Sequence, residues 1–198
     1  MNESKLHGME AASHWVQRWS HLIKPEGVVL DVACGHGRHA RWFFERHHKV
    51  VAVDRSLDAI ESIAIPASAC EAVVADMEAG PWPFAGRQFD AVVVTNYLWR
   101  PLMPTLLDSL GPNGVQIYET FTVGNETVGK PSRPDFLLRS GELLTMCQHL
   151  RVVAYEEGYL EATPQQPERF VQRIVAVRPP LPSSSMGATR YQLSEGQY

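Results

Sequence analysis

Val28-Val29-Leu30-Asp31-Val32-Ala33-Cys34-Gly35-His36-Gly37-Arg38-His39-Ala40, followed by Lys49-Val50-Val51-Ala52-Val53-Asp54-Arg55-Ser56, is the stretch whose reading decides the fold. Residues 28–33 form a short apolar run, as expected of a strand buried in a parallel sheet. Gly35 and Gly37 permit a tight turn and a close approach of backbone to a ligand. Residues 38–47 read as a helix with Ala40, Phe43 and Phe44 on one face. Residues 49–53 form a second apolar run with Asp54 at its end. Strand, glycine turn, helix, strand and acid together make one nucleotide-binding half of a doubly wound sheet. Amides at the helix start suit an anionic group, and the acid after the second strand suits ribose hydroxyls.

Gly35-x-Gly37-x-x-Ala40 also fits the dinucleotide fingerprint, so a nicotinamide or flavin enzyme has to be weighed. Two features point elsewhere. Asp31 lies inside the first strand, where a buried carboxylate needs a partner such as an ammonium group. A third apolar run, residues 72–75, is closed by another acid, Asp76. Three acids at three strand ends suit a ligand with an amine, a ribose and an adenine. Arg55 supports the rival, because an arginine there can hold the 2′-phosphate of NADP.

With those residues in view, Leu30-Asp31-Val32-Ala33-Cys34-Gly35-His36-Gly37-Arg38 resembles motif I of the class I S-adenosylmethionine-dependent methyltransferases. Pro25-Glu26-Gly27 and Gly141-Glu142-Leu143-Leu144 are similar to the tellurite-resistance-type methyltransferases and their small bacterial relatives. The resemblance covers residues 22–178. It implies a three-layer α/β fold, a Rossmann-like doubly wound sheet of seven strands, the last antiparallel between the fifth and sixth. It implies S-adenosylmethionine as cofactor and S-adenosylhomocysteine as product. Ala33, Cys34, Gly35 and Gly37 would line the methionine end, with Asp31 near its ammonium group and His36 or His39 near its carboxylate. Asp54 would bind the ribose, with Arg55 beside the adenine. Ala75, Asp76 and Met77 would hold the adenine. Asn96 and Tyr97 stand where motif IV ends, but the two prolines common in amine-methylating relatives are missing from Asn96-Tyr97-Leu98-Trp99. Tyr97 and Trp99 could wall the sulfonium or the acceptor by cation–π attraction. Glu119 and Thr122, at the end of the fifth strand, are candidates to touch the acceptor. No residue is assigned as a catalytic base.

Composition bounds the partners. The 198 residues suffice for one domain with a sizeable core. The net charge of −4 argues against strong non-specific attraction to nucleic acid or anionic membrane. No run of about 18 apolar residues is present, so no membrane span is expected. Residues 1–8 are polar and lack a signal-peptide core. Cys34, Cys70 and Cys147 lack metal-ligand spacing, the histidines of the first turn match no metal site, and a reducing cytoplasm fits best.

The rest of the chain reads in order. Residues 10–23 form an amphipathic helix, with Trp15, Val16, Trp19, Leu22 and Ile23 at helical spacing, which is expected to pack on the sheet; the resemblance implies that the same helix covers the cofactor cleft. Ser56 caps a helix over 57–64. Residues 89–95 are the fourth strand, 102–110 a helix, 111–114 a turn and 115–121 the fifth strand. Residues 122–139 carry little periodicity; a loop of that length is usually functional or disordered, and a lid over the acceptor is expected. Ser140 is expected to cap the next helix, and 151–159 with 170–177 to form a hairpin. Residues 1–178 make the single domain and 179–198 a loosely held tail. The reading is a methyltransferase acting on a small-molecule acceptor. The alternatives are an NADP-dependent oxidoreductase, a non-catalytic methyltransferase-like binding subunit, and an RNA methyltransferase.

Overall fold

In the computed structural model, residues 10–164, 166–180 and 190–193 are described. The polar start and most of the tail lie outside them. The strands are β1 (Val28–Val32), β2 (Lys49–Asp54), β3 (Cys70–Val74), β4 (Phe89–Thr95), β5 (Leu110–Phe121), β6 (Arg151–Leu160) and β7 (Arg169–Val177). They form one sheet in the order β3-β2-β1-β4-β5-β7-β6. β7 runs antiparallel to both β5 and β6, and the other pairings are parallel. The strand order reverses between β1 and β4, which places the ligand crevice at the carboxyl ends of the central strands.

Helices α1 (His14–Trp19), α2 (Arg38–Phe44) and α3 (Leu57–Glu61) lie on one side, and α4 (Met103–Asp108) and α5 (Glu142–Met146) on the other. The strand sequences explain the layering. Successive residues of β1, Val29 and Leu30, are both fully buried and belong to opposite cores. Strands covered on both faces read as continuous apolar runs, and these do. Trp15, Val16, Trp19, Ala40 and Phe43 fill the first core, and Leu106, Leu143 and Cys147 the second.

Several boundaries move from the sequence reading. The first helix is only α1, continued by a 3-10 turn over Ser20–Leu22. Ser13 caps it by accepting the Trp15 amide at 3.1 Å. Ser56 caps α3 as expected, accepting the Ala59 amide at 3.2 Å. Ser140 does not cap α5. The residue there is Gly141, at φ 69°, and the Ser140 hydroxyl turns to Glu157 instead. Residues 111–114 are an irregularity within β5: Phe89 pairs with Leu110 and Ala91 with Val115, and Asn113 at φ 61° absorbs the extra length.

Residues 122–139 are ordered rather than loose. The bridge between Thr122 and Leu138 closes the loop's ends. Two 3-10 turns, Asn125–Thr127 and Pro134–Phe136, shape its interior. Asn125 is buried, donates to the Pro131 carbonyl and accepts the Phe170 amide. Gln172 donates to Thr122 Oγ1 and to the Arg139 carbonyl. Of the tail, Tyr191 lies under the Arg151 guanidinium and the Gln192 carbonyl is 2.9 Å from His21 Nε2.

Candidate functional site

A crevice of about 380 Å³ opens at the carboxyl ends of β1 to β5, within the usual range for small-ligand sites. Ala33 from β1, Asp54 and Arg55 from β2, Ala75, Asp76 and Met77 from β3, and Asn96 and Tyr97 from β4 line it together. Glu78, Leu98, Thr120, Phe121, Pro131 and Phe136 complete the walls.

The turn after β1 is built from left-handed residues, Ala33 at φ 52°, Gly35 at 52° and Gly37 at 76°. Asp54 fixes it: Oδ2 accepts the Gly35 amide and Oδ1 the Ser56 amide, each at 2.9 Å. A Cβ added at Gly35 would meet nothing within 4 Å, so this glycine faces open space. Gly37 differs. A Cβ there would stand 2.9 Å from Ile63 Cγ1, so its smallness serves packing against that side chain.

Asp31 is 1% exposed, and its Oδ2 has no hydrogen-bond partner among the described residues. Burial pushes the carboxyl up to about 7, moderated by the Ala40 amide and by Arg38. Asp31, Gly35 and Gly37 do not line the crevice itself, but a buried carboxyl with an open lone pair fits a ligand that brings a cation. Asp76 is the opposite case. It is exposed, and amides of Glu78 and Ala79 hold its carboxyl below the usual range. Across the crevice Asn96 sits at φ 54°, its amide bonded to the Glu119 carbonyl at 2.9 Å. The Tyr118 hydroxyl donates to the Tyr97 carbonyl at 2.7 Å, which fixes that wall from beneath. Strained residues held by several bonds are typical of ligand-binding turns.

Other expected residues stand outside the walls. Cys34 is buried on the α2 side of the sheet. His36 turns to Ser62, 2.9 Å away. His39 is 2% exposed and accepts the Ser13 amide at Nε2, 3.2 Å away. Its proton is therefore on Nδ1, 3.4 Å from Thr95 Oγ1. Burial, with Arg38 and Arg41 beside it, drives His39 down to about 3. It is a neutral peg for the N-terminal segment, not a partner for an anion. Glu119 faces the same way. It accepts from Ser13 Oγ at 2.9 Å and pairs with Arg173 at 3.3 Å. Thr122 donates to the Leu138 carbonyl. The residues between them, Thr120 and Phe121, are those that reach the crevice. Trp99 packs against the core.

Residues 29–114 match the family model described as a methyltransferase domain. No protein of curated function matches in sequence. Among solved structures, TehB from Haemophilus influenzae superposes with a TM-score of 0.72 at 18% identity over 88% of this chain, which spans 65% of the TehB chain. A TehB-like SAM-dependent methyltransferase from Corynebacterium glutamicum gives 0.60 at 16% identity, with 87% and 91% of the two chains covered. The glycopeptide N-methyltransferase MtfA, complexed with S-adenosylhomocysteine, gives 0.60 at 17%, with 86% and 91% covered. The antiparallel β7 between β5 and β6 also departs from the six-stranded order of dinucleotide enzymes. The fold of the whole chain is thus that of the TehB-like S-adenosylmethionine-dependent methyltransferases on which it superposes, and its nucleotide-binding half, residues 29–114, matches a methyltransferase domain.

Proposed function

We propose that the protein transfers a methyl group from S-adenosylmethionine to a small-molecule acceptor by in-line displacement. The observation that carries this reading is the convergence of Ala33, Asp54, Asp76, Asn96 and Tyr97 on one crevice roofed by residues 131 and 136. S-adenosylmethionine, when bound, supplies a methyl group already activated on a sulfonium. Asp31 would hold the ammonium group, Gly35 would leave room for the methionine backbone, Asp54 would accept from the ribose, and Asp76 with Met77 would hold the adenine. The remaining task is to hold the acceptor in line, and such positioning can supply roughly 7–11 kcal/mol. A dedicated base is then not required. A crevice of about 380 Å³ suits a compact guest better than a polymer.

Calorimetry with S-adenosylhomocysteine and with NADP tests the cofactor. We expect binding of the first only, and binding of NADP alone would reject the reading. Tritiated methyl donor, offered with total RNA and with a small-molecule extract, tests the acceptor. Label is expected in the extract. Label confined to RNA would overturn the acceptor class, and no label in either would favour a binding subunit.

A further inference from the structure

The crevice is divided by charge. Its charged lining groups, Asp54, Arg55, Asp76 and Glu78, all come from the ends of β2 and β3. Beyond Tyr97 the lining is Leu98, Thr120, Phe121, Pro131 and Phe136, with no ionisable side chain. Arg133 lies over the Phe136 ring, 5.2 Å from its centroid, and its charge is paired with Asp135 at 3.2 Å. An anion placed in this wing would lose water and find no cation among the residues that line the wing itself.

The wing also has a built outer wall. Arg100 leaves the end of the segment that carries Asn96 and Tyr97. Its Nη1 donates to the Asp135 carbonyl and its Nη2 to the Leu137 carbonyl, each at 2.8 Å. These are the residues on either side of Phe136. Nε and Nη2 grip Glu142 at 2.6 and 2.9 Å, and Glu142 in turn accepts the Arg139 amide at 2.7 Å. One guanidinium thus ties the β4 wall to the wall that carries Phe136. Only a planar fork with several fixed donors can make this set of bonds, and a lysine cannot.

Resting on the cofactor reading above, we propose that the wing under β5 is the acceptor subsite, that it takes a flat, uncharged, apolar-bodied acceptor, and that Arg100 is the positioning residue holding its Phe136 wall. A flat guest stacks or sets edge-to-face against Phe121 and Phe136, with its nucleophilic atom directed toward Tyr97 and the donor.

The test uses the full chain saturated with S-adenosylhomocysteine and a matched probe series: 2-naphthol, 2-naphthoate and 2-naphthylmethylammonium, with tellurite beside them. Calorimetry should show 2-naphthol binding at least tenfold more tightly than either charged analogue or tellurite. Arg100→Lys and Phe136→Ala should each weaken 2-naphthol by about tenfold while S-adenosylhomocysteine affinity changes less than threefold. The double variant should be no worse than Phe136→Ala alone, because both act through one wall. Equal or tighter binding of a charged probe or tellurite, no binding of 2-naphthol, equal weakening of both ligands by Arg100→Lys, or additive effects would each overturn the proposal. Failure of the unaltered protein to bind S-adenosylhomocysteine would instead sink the cofactor reading and this proposal with it.

Discussion

At the scale of single residues, Asp31 and Asp54 show how the same side chain takes two roles. Asp31 is buried with its pKa raised from 3.8 to about 7. The unfolded chain ionises above 3.8 and the folded one resists until about 7, so this group lowers stability as pH rises across that window, and the full cost remains above it. Asp31→Asn should therefore stabilise the free protein at pH 7, by up to about 4 kcal/mol at roughly 1.4 kcal/mol per unit. The same change should weaken S-adenosylhomocysteine, because the ligand's cation loses its counter-charge. Urea unfolding and calorimetry check both signs, and a variant less stable than the parent would discredit the raised pKa. A second consequence is that ligand binding should release a proton near pH 6, visible as a heat that varies with the buffer's ionisation enthalpy. Asp54 differs, since its two oxygens hold the Gly35 and Ser56 amides. Asp54→Ala should weaken S-adenosylhomocysteine roughly 10- to 100-fold, and should also cost about 1–3 kcal/mol of stability through the freed amides. An unchanged affinity would remove the ribose assignment.

At the scale of elements, α1 is attached by polar bonds as well as by its tryptophans. Ser13 gives its amide to His39 and its hydroxyl to Glu119, and Glu119 and Glu156 share Arg173. Arg18 of α1 also reaches Glu156, and Trp15 lies under Arg173. His39 has its pKa lowered from 6.5 to about 3 in the docked state. The undocked or unfolded form takes up a proton below 6.5 and the docked form does not. The contribution is thus intact above 6.5 and lost as pH falls toward 3, at roughly 1.4 kcal/mol per unit. Acidification from pH 7 to pH 5 should loosen α1, read as a change in the emission of Trp15 and Trp19. His39→Gln keeps an acceptor without the titration and should flatten that transition. An identical profile in the variant would assign the effect to another group. Separately, Arg173→Ala would leave Glu119, 4% exposed, without its cation. Breaking a buried pair in that way costs on the order of 3–5 kcal/mol.

For the whole molecule, the crevice lies between a rigid sheet end and a wall anchored to β4, α5 and β7. The 122–139 segment is bound by Arg100, Gln172 and Asn125, so it should exchange its amide hydrogens as one unit and not as a frayed loop. Exchange measured without ligand should show protection at residues 123, 125 and 138, whose amides are bonded to backbone carbonyls. Protection should rise further with S-adenosylhomocysteine and an acceptor bound. Rapid, ligand-independent exchange across the segment would mean that the wall does not hold in solution.

What the chain's local patterns determined is the order of elements and the position of the acids. Val28–Val32 and Lys49–Asp54 each hold enough β-branched residues to be buried strands, and Gly35 and Gly37 allow the turn between strand and helix, wherever the rest of the chain lies. Asp54, Asp76 and Asn96 follow strand ends, so a parallel sheet brings them together whatever the loops do. The tertiary structure decided which way the side chains of β5 point. A strand buried on both faces carries no alternation that could tell Glu119 from Thr120. Only the packing of α1, through Ser13 at a sequence separation of 106, draws Glu119 away and leaves Thr120 and Phe121 to the crevice. The Phe136 wall was hidden for the same reason. It depends on an arginine 35 and 37 residues from the carbonyls it holds, and hydrophobic periodicity does not register a side chain that bonds to backbone so far along the chain.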